Sequence, residues 1–317
     1  INLAASNPEA FQNLVKNGYR QGFFQITNEV FINSILSSPV THQVNMLATG
    51  LNSLSRPLTL ALGAKDGITR QRAIKESIYA IQALRDSFSL AKKSFRYDTN
   101  ILDRGSQIVD FERTSLEGRN GIIRFIGAMY RLPSRFLMAE DEFFKQLNFR
   151  AFAKAEIWEE GTRAGKTGVQ LQKFMDRRFK QITDLVMNES KTGKYSEKTL
   201  DLYRRAREFS AQSTFTEQLS EGSLTKGIQT IVNEHPLLRQ VLPFIRTPAN
   251  IIKQTAQMTP FLKEMGEIPI AGNALKNMKW YQEHVAEMTS DNLAVAARAR
   301  GKACLLYTSD AADDDAC

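Results

Sequence analysis

From Leu171 onward the apolar residues fall at Leu171, Phe174, Met175, Phe179, Ile182, Leu185 and Val186. Steps of three and four put all seven on one face of an α-helix. A strand would send alternate side chains to opposite faces and expose half of them. The same spacing runs through Phe143, Phe144, Leu147, Ala151, Ala155 and Trp158, with Phe136 extending it upstream, while strand-like alternation is nearly absent. These patterns predict an all-α fold, an elongated multi-helix array or bundle. A helix over 134–160 would be about 40 Å long at 1.5 Å per residue, so it needs a long partner to cover its apolar stripe.

Capping signals divide the rest of the chain. Asn7-Pro8-Glu9, Thr247-Pro248 and Thr259-Pro260 each set a capping side chain before a proline at the first helical position, and Gly18, Gly63, Gly118 and Gly193 mark stops. The expected helices cover 8–17, 20–36, 40–55, 69–95, 98–116, 119–130, 134–160, 168–190, 196–219, 224–234, 248–257 and 272–300. The chain then reads as a helical structural region (1–160), a Gly-rich joint (161–168), a basic helical hairpin (169–234), a Pro-punctuated connector (235–269), a C-terminal helix (270–303) and a tail (304–317). It is expected to be a fragment of a larger protein, because it starts at Ile1 without an initiator Met.

The tail distorts the composition. Cys304 to Asp313 reads as the translation of TGT CTC TTA TAC ACA TCT GAC GCT GCC GAC, which resembles the transposon-end adapter of sequencing libraries, so 304–317 is set aside as an artefact. Asp310, Asp313, Asp314 and Asp315 lie there, so the net charge of +8 becomes +12 for residues 1–303. Both cysteines, Cys304 and Cys317, fall in the same tail, which leaves the body without disulfides, cysteine metal sites or a cysteine nucleophile. A basic body points to an acidic partner or to solvated helix faces. At 42% hydrophobic residues the chain has enough apolar material for a core. The most apolar windows, 31–62 and 122–138, are broken by Pro39, His42, Asn45, Asn52, Arg56, Arg124, Arg131 and Arg135 and read as buried or interfacial helices.

No constellation of residues reads as a catalytic site. Gly161-Thr162-Arg163-Ala164-Gly165-Lys166-Thr167 resembles a phosphate-binding loop, but the first glycine should stand at Glu160, and a helix precedes it where a buried strand is required. It is expected to be an inter-helix turn. Glu140, Asp141 and Glu142 are consecutive, so they fan out by about 100° each and do not converge on a substrate. Asp141 and Lys145 are expected to form an exposed i,i+4 ion pair worth a few tenths of a kcal/mol. His42, His235 and His284 lie far apart with no local ligand partner, which gives a zinc site no support. No cofactor, metal or small-molecule substrate is called for.

One basic surface is a candidate. Arg177, Arg178 and Lys180 lie on the first arm of the hairpin and Arg204, Arg205 and Arg207 on the second. Packed antiparallel, the arms could present these six as one face for phosphates, with salt-dependent affinity. Asp176, Asp184, Asp201 and Glu208 interleave with them and favour a solvated surface.

Three segments carry a resemblance. The first is Leu132-Pro133-Ser134-Arg135-Phe136-Leu137 with Asp141-Glu142-Phe143-Phe144-Lys145, Asn148-Phe149-Arg150 and Glu159-Glu160-Gly161; the others are Leu36 to Asn45 and Pro243 to Lys253. Together they resemble very large virion-associated proteins of tailed bacteriophages, the large polyvalent and internal, ejected virion proteins. The resemblance implies a non-enzymatic helical module of a long chain, active in virion assembly and genome delivery and located in the virion and, during assembly, the host cytoplasm. Implied partners are other virion subunits or other regions of the parent chain, with DNA and the host membrane as further candidates. Enzymatic domains would lie outside this window, and Ala297 to Gly301 would lead into a Gly-rich apolar helix. No functional residue is carried over. The alternatives from other classes are a basic nucleic-acid-binding module and a membrane-interacting domain using the helices of 20–62.

Overall fold

The computed structural model describes residues 30–102, 129, 131–187, 193–218, 227, 229, 245–259, 267 and 276–305. Among them there is no strand, and the all-α expectation holds. The helices are α1 Pro39–Leu62, α2 Gly67–Tyr97, α3 Leu132–Arg163, α4 Gly168–Met187, α5 Glu197–Ser213, α6 Arg246–Gln257, α7 Lys279–Met288 and α8 Leu293–Leu305. A further helical turn covers 30–36. The expected helices at 8–17, 98–116, 119–130 and 224–234 lie wholly or mostly outside the described residues.

Local chemistry sets the ends. Asp66 caps α2 by accepting from the Thr69 amide at 3.0 Å. At the other end Asp98 takes the left-handed conformation, φ 52°, that closes many helices. Prolines open α1 and α3, where a missing amide hydrogen costs nothing. The helix expected over 272–300 is in fact two. Asn292 Oδ1 accepts from the amides of Ala294 and Val295 at 3.1 and 3.2 Å, which starts a new helix after the break at Thr289. α1 departs the other way, running through Pro57 although its expected end was residue 55. Around the proline the Arg56 carbonyl accepts from Thr59 Oγ1 at 2.8 Å and from Arg298 at 3.4 Å, which holds the turn together.

The fold is built around α3. α2 lies antiparallel along its whole length, from Arg135 on the Phe95 carbonyl at one end to Arg72 on Glu159 at the other. It is the long partner that the sequence required. α1 runs alongside the first half of α3 in the same direction, with His42 on Glu140 and Ser53 on Asn148. α4 and α5 fold back as an antiparallel hairpin, as Tyr195 on Asp184 and Arg178 on Thr199 show. One core joins them: Phe149, Phe152, Ile157 and Trp158 of α3 pack with Met175, Ile182, Leu185 and Val186 of α4 and Leu202, Tyr203, Ala206 and Phe209 of α5, beside Ile68 and Tyr79 of α2.

The segment 161–168 ends α3 in a mostly exposed turn, and the helices on its two sides, α3 and α4 with α5, share one core. One expectation changes as a result. α3 also buries far more than one stripe, since Asp141, Glu142, Lys145, Gln146, Asn148 and Glu159 are buried as well as its apolar residues. The Asp141–Lys145 pair forms, at 2.9 Å, but it is interior, with the Lys145 side chain 1% exposed. Enclosed by α1, α2, α4 and α5, the middle of α3 has little solvent side left for its charges, and of these only the C-terminal Glu160 and Arg163 are exposed.

Candidate functional site

α1 is turned inside out. Its buried residues are Thr49, Asn52, Arg56, Thr59 and Leu60. Outward, Val40, Val44, Leu47, Leu51, Leu54, Leu58 and Leu62 are exposed, Leu54 by 74%. The polar face is drawn inward by a helix end. The last carbonyls of α5 lack intrahelical donors, and Asn52 Nδ2 donates to Ser213 O at 2.8 Å while Gln254 donates to Gln212 O at 2.6 Å. Arg56 bonds the Gln212 side chain at 3.2 Å and lies 5.0 Å from the Phe209 ring centroid. α2 carries a shorter outward stripe of Ile74, Ile78, Ile81 and Phe88, interrupted by the exposed Arg85.

The six basic candidates do not form one free face. Arg178 is held by Glu160 at 3.2 Å and by Thr199, and Arg205 by Glu156 at 2.8 Å and Asp201 at 2.9 Å. Arg204 pairs with Glu197 at 2.9 Å on the exposed side of α5. Arg207 sits over the Tyr203 ring and faces a cavity. Arg177 and Lys180 are exposed on α4. The ion pairs turn half of the expected surface toward α3 or into α5's own acids.

Gly161 to Thr167 is a helix cap. Lys166 N donates to Gly161 O and Gly165 N to Thr162 O, both at 3.0 Å, with Gly165 at φ +72°. This is the Schellman arrangement, which occupies the amide of Lys166 with a helix carbonyl and not with a phosphate. Gly161 has its own task. A Cβ there would lie 2.4 Å from Leu171 and 3.1 Å from Phe174, so its absence lets α4 return against α3.

The three consecutive carboxylates do fan out. Glu140 meets His42 Nδ1 at 2.9 Å and Asn45 at 3.4 Å; Asp141 meets Lys145; Glu142, fully buried, accepts from the amides of Ile101 and Leu102 at 3.0 and 3.2 Å and from Gln146 at 2.7 Å. Burial pushes the Glu142 carboxyl up, against those hydrogen bonds. His284 is buried beside Glu287 at 3.9 Å, and His235 lies outside the described residues. Among the described residues no group of His, Cys, Asp and Glu could hold a metal, and no helix is long and apolar enough to cross a membrane.

A cavity of about 740 Å³ opens between α1, α5, α6, α7 and α8, with Arg56, Lys145, Arg207, Lys253 and Lys302 opposite Glu208, Glu217, Glu283 and Glu287. Five cations against four carboxylates leave the cleft close to neutral, with little net charge for a ligand to answer. Burial pushes the Lys302 ammonium down to about 8 although Glu287 pulls the other way, and pushes Arg56 to about 10. Burial likewise raises the Glu208 carboxyl, reinforced by Glu217.

A folded-state value below the unfolded one means that the unfolded chain binds more protons as pH rises from about 8 to 10.5, so stability climbs through that window. Thermal melts are expected to show a higher Tm at pH 9 than at pH 7, with Lys302 contributing on the order of 1 kcal/mol between those two pH values. Lys302→Met should raise Tm at pH 7 and flatten the pH dependence; an unchanged slope in the variant would assign the rise elsewhere.

No family model, curated protein or solved structure matches the chain.

Proposed function

We propose that this chain is a non-enzymatic helical module of an internal virion protein of a tailed bacteriophage, acting in virion assembly and genome delivery through protein packing. The observation that carries the assembly part is the outward apolar stripe of α1, with the shorter one of α2. Large contiguous apolar surface marks an interaction site. The phage part rests on the resemblance, whose segments have structural work here. Within Leu36 to Asn45, His42 and Asn45 both bond Glu140, inside the stretch that begins at Leu132. Within Pro243 to Lys253, Asn250 bonds the carbonyls of Phe215 and Glu217 at 2.9 and 2.7 Å, and Lys253 pairs with Glu217 at 3.1 Å. These residues hold helices together. The divided basic surface gives the nucleic-acid alternative no added support.

Mass spectrometry of density-banded phage particles from a sample that carries the gene tests the reading. Peptides from 134–160 in intact particles are the expected result, and their confinement to cellular fractions would overturn it. Turnover is the second test. ATP hydrolysis is expected at buffer background in the wild type and in Lys166→Ala alike, because the loop amide is already committed to the helix. Hydrolysis lost specifically in Lys166→Ala would overturn the non-enzymatic reading.

A further inference from the structure

We infer that the outer face of α1 is a coiled-coil seam that pairs with α1 of a second copy of this chain. Val40, Leu47 and Leu54 stand seven residues apart, and so do Val44, Leu51 and Leu58, four residues after each of the first set. That is the 4-3-4-3 alternation of the two apolar heptad positions. At 3.6 residues per turn all six, with Leu62, fall within a sector of about 80°. A lipid-facing or core-facing helix carries a wider apolar arc, whereas a narrow stripe is the geometry of a seam received by one other helix.

The flanking positions name the partner. In a coiled coil the residues bordering the seam choose the partner by charge. Here they are Thr41, Ala48 and Ser55 on one side and Gln43, Gly50 and Pro57 on the other, none of them charged. Nothing there selects a different, oppositely charged helix, and nothing repels an identical one. The small residues at 48 and 55 also let a second backbone come close on that side, while Gly50 faces Phe144 of α3. Pairing through one patch on both copies gives a closed two-fold dimer. The seam is about 28 Å long and about 10 Å wide, far below a standard interface, so the dimer is reversible and concentration-dependent. The inference deepens the assembly part of the proposed function and does not depend on its phage part.

Sedimentation velocity of the full chain over a concentration series is expected to show a monomer–dimer equilibrium with a Kd in roughly the 1–100 μM range. Leu47→Lys combined with Leu54→Lys, at sites 65% and 74% exposed, should leave the circular dichroism and melting curve unchanged and weaken association more than about tenfold. In a parallel pair Leu51 faces its own copy, and in an antiparallel pair it faces position 47 of the other. Leu51→Cys alone, or an equimolar mixture of Leu47→Cys and Leu51→Cys proteins for the antiparallel pair, should give a covalent dimer on oxidation, beyond any formed by the wild type or by Val169→Cys, an exposed control off the seam. A wild type that stays monomeric throughout would overturn the inference. So would a dimer indifferent to the lysine pair, or a monomer that binds phosphatidylcholine vesicles and releases them in the lysine variant. Dimers of a protein missing from particles would leave the inference standing and end the virion reading; a monomer found in particles would do the reverse.

Discussion

Arg72→Met is expected to lower the unfolding free energy by about 3–5 kcal/mol in urea denaturation, the range for removing one partner of a buried ion pair. The Arg72 side chain is 1% exposed, with its guanidinium 2.5 Å from Glu156 and 2.6 Å from Glu159 and stacked 5.2 Å from the Phe152 centroid. It binds α2 to the C-terminal half of α3. Removing it leaves two largely buried carboxylates whose remaining partners, Arg205 and Arg163, stand at the rim, 31% and 37% exposed. Arg72→Lys should recover only part of the loss, since an ammonium does not meet two carboxylates with a planar fork. Adding Glu156→Gln and Glu159→Gln to Arg72→Met should restore much of the stability, as neutral groups tolerate the vacancy better than charges. A single-variant loss under about 1 kcal/mol would show that water reaches these carboxylates and that the network does not hold α2 to α3.

The charge network also shows where sequence reading stops. Periodicity revealed the helices because it is local: the face of α4 and the length of α3 follow from residues three and four apart. Burial of charge depends on partners that only the fold brings together. Arg72 and Glu159 are separated by 87 residues and Arg298 and Glu76 by 222, so no window of sequence distinguishes them from solvated charges. The Asp141–Lys145 pair was legible as a pair and misjudged as exposed for this reason. On α1 the apolar window reads as a buried or interfacial helix, and its outward direction is not legible. That direction is set by the end of α5, where the Gln212 carbonyl attracts Asn52 from 160 residues away and the Gln212 side chain attracts Arg56 from 156. The divided basic surface has the same origin, since Glu156 and Glu160 belong to α3 and the hairpin's own sequence could not announce them.

Gly301→Val should detach α8 from α1, and it would do so through backbone sterics. A Cβ on Gly301 would lie 1.8 Å from the Thr59 carbonyl oxygen, and one on Gly63 1.9 Å from that of Ala297. Both obstacles are backbone, so no rotamer change relieves them and the helices must separate by more than 1 Å. Separation would open the cluster of Leu60, Ala64, Ala73, Ala294 and Ala297 and pull Arg298 away from the buried Glu76. Overpacking alone costs about 1–3 kcal/mol; stranding a buried carboxylate adds to it, so the expected loss is about 3 kcal/mol or more. Hydrogen exchange would localise the damage, with protection lost across Leu293–Leu305 and the last turns of α1 while α3, α4 and α5 keep theirs. Gly301→Ala should follow the same pattern, because the clash begins at Cβ. The Val40 to Leu58 seam lies mostly beyond the crossing, so a variant that loses α8 docking should retain self-association. Loss of protection spread evenly over every helix would instead mean that α8 unfolds only with the whole molecule.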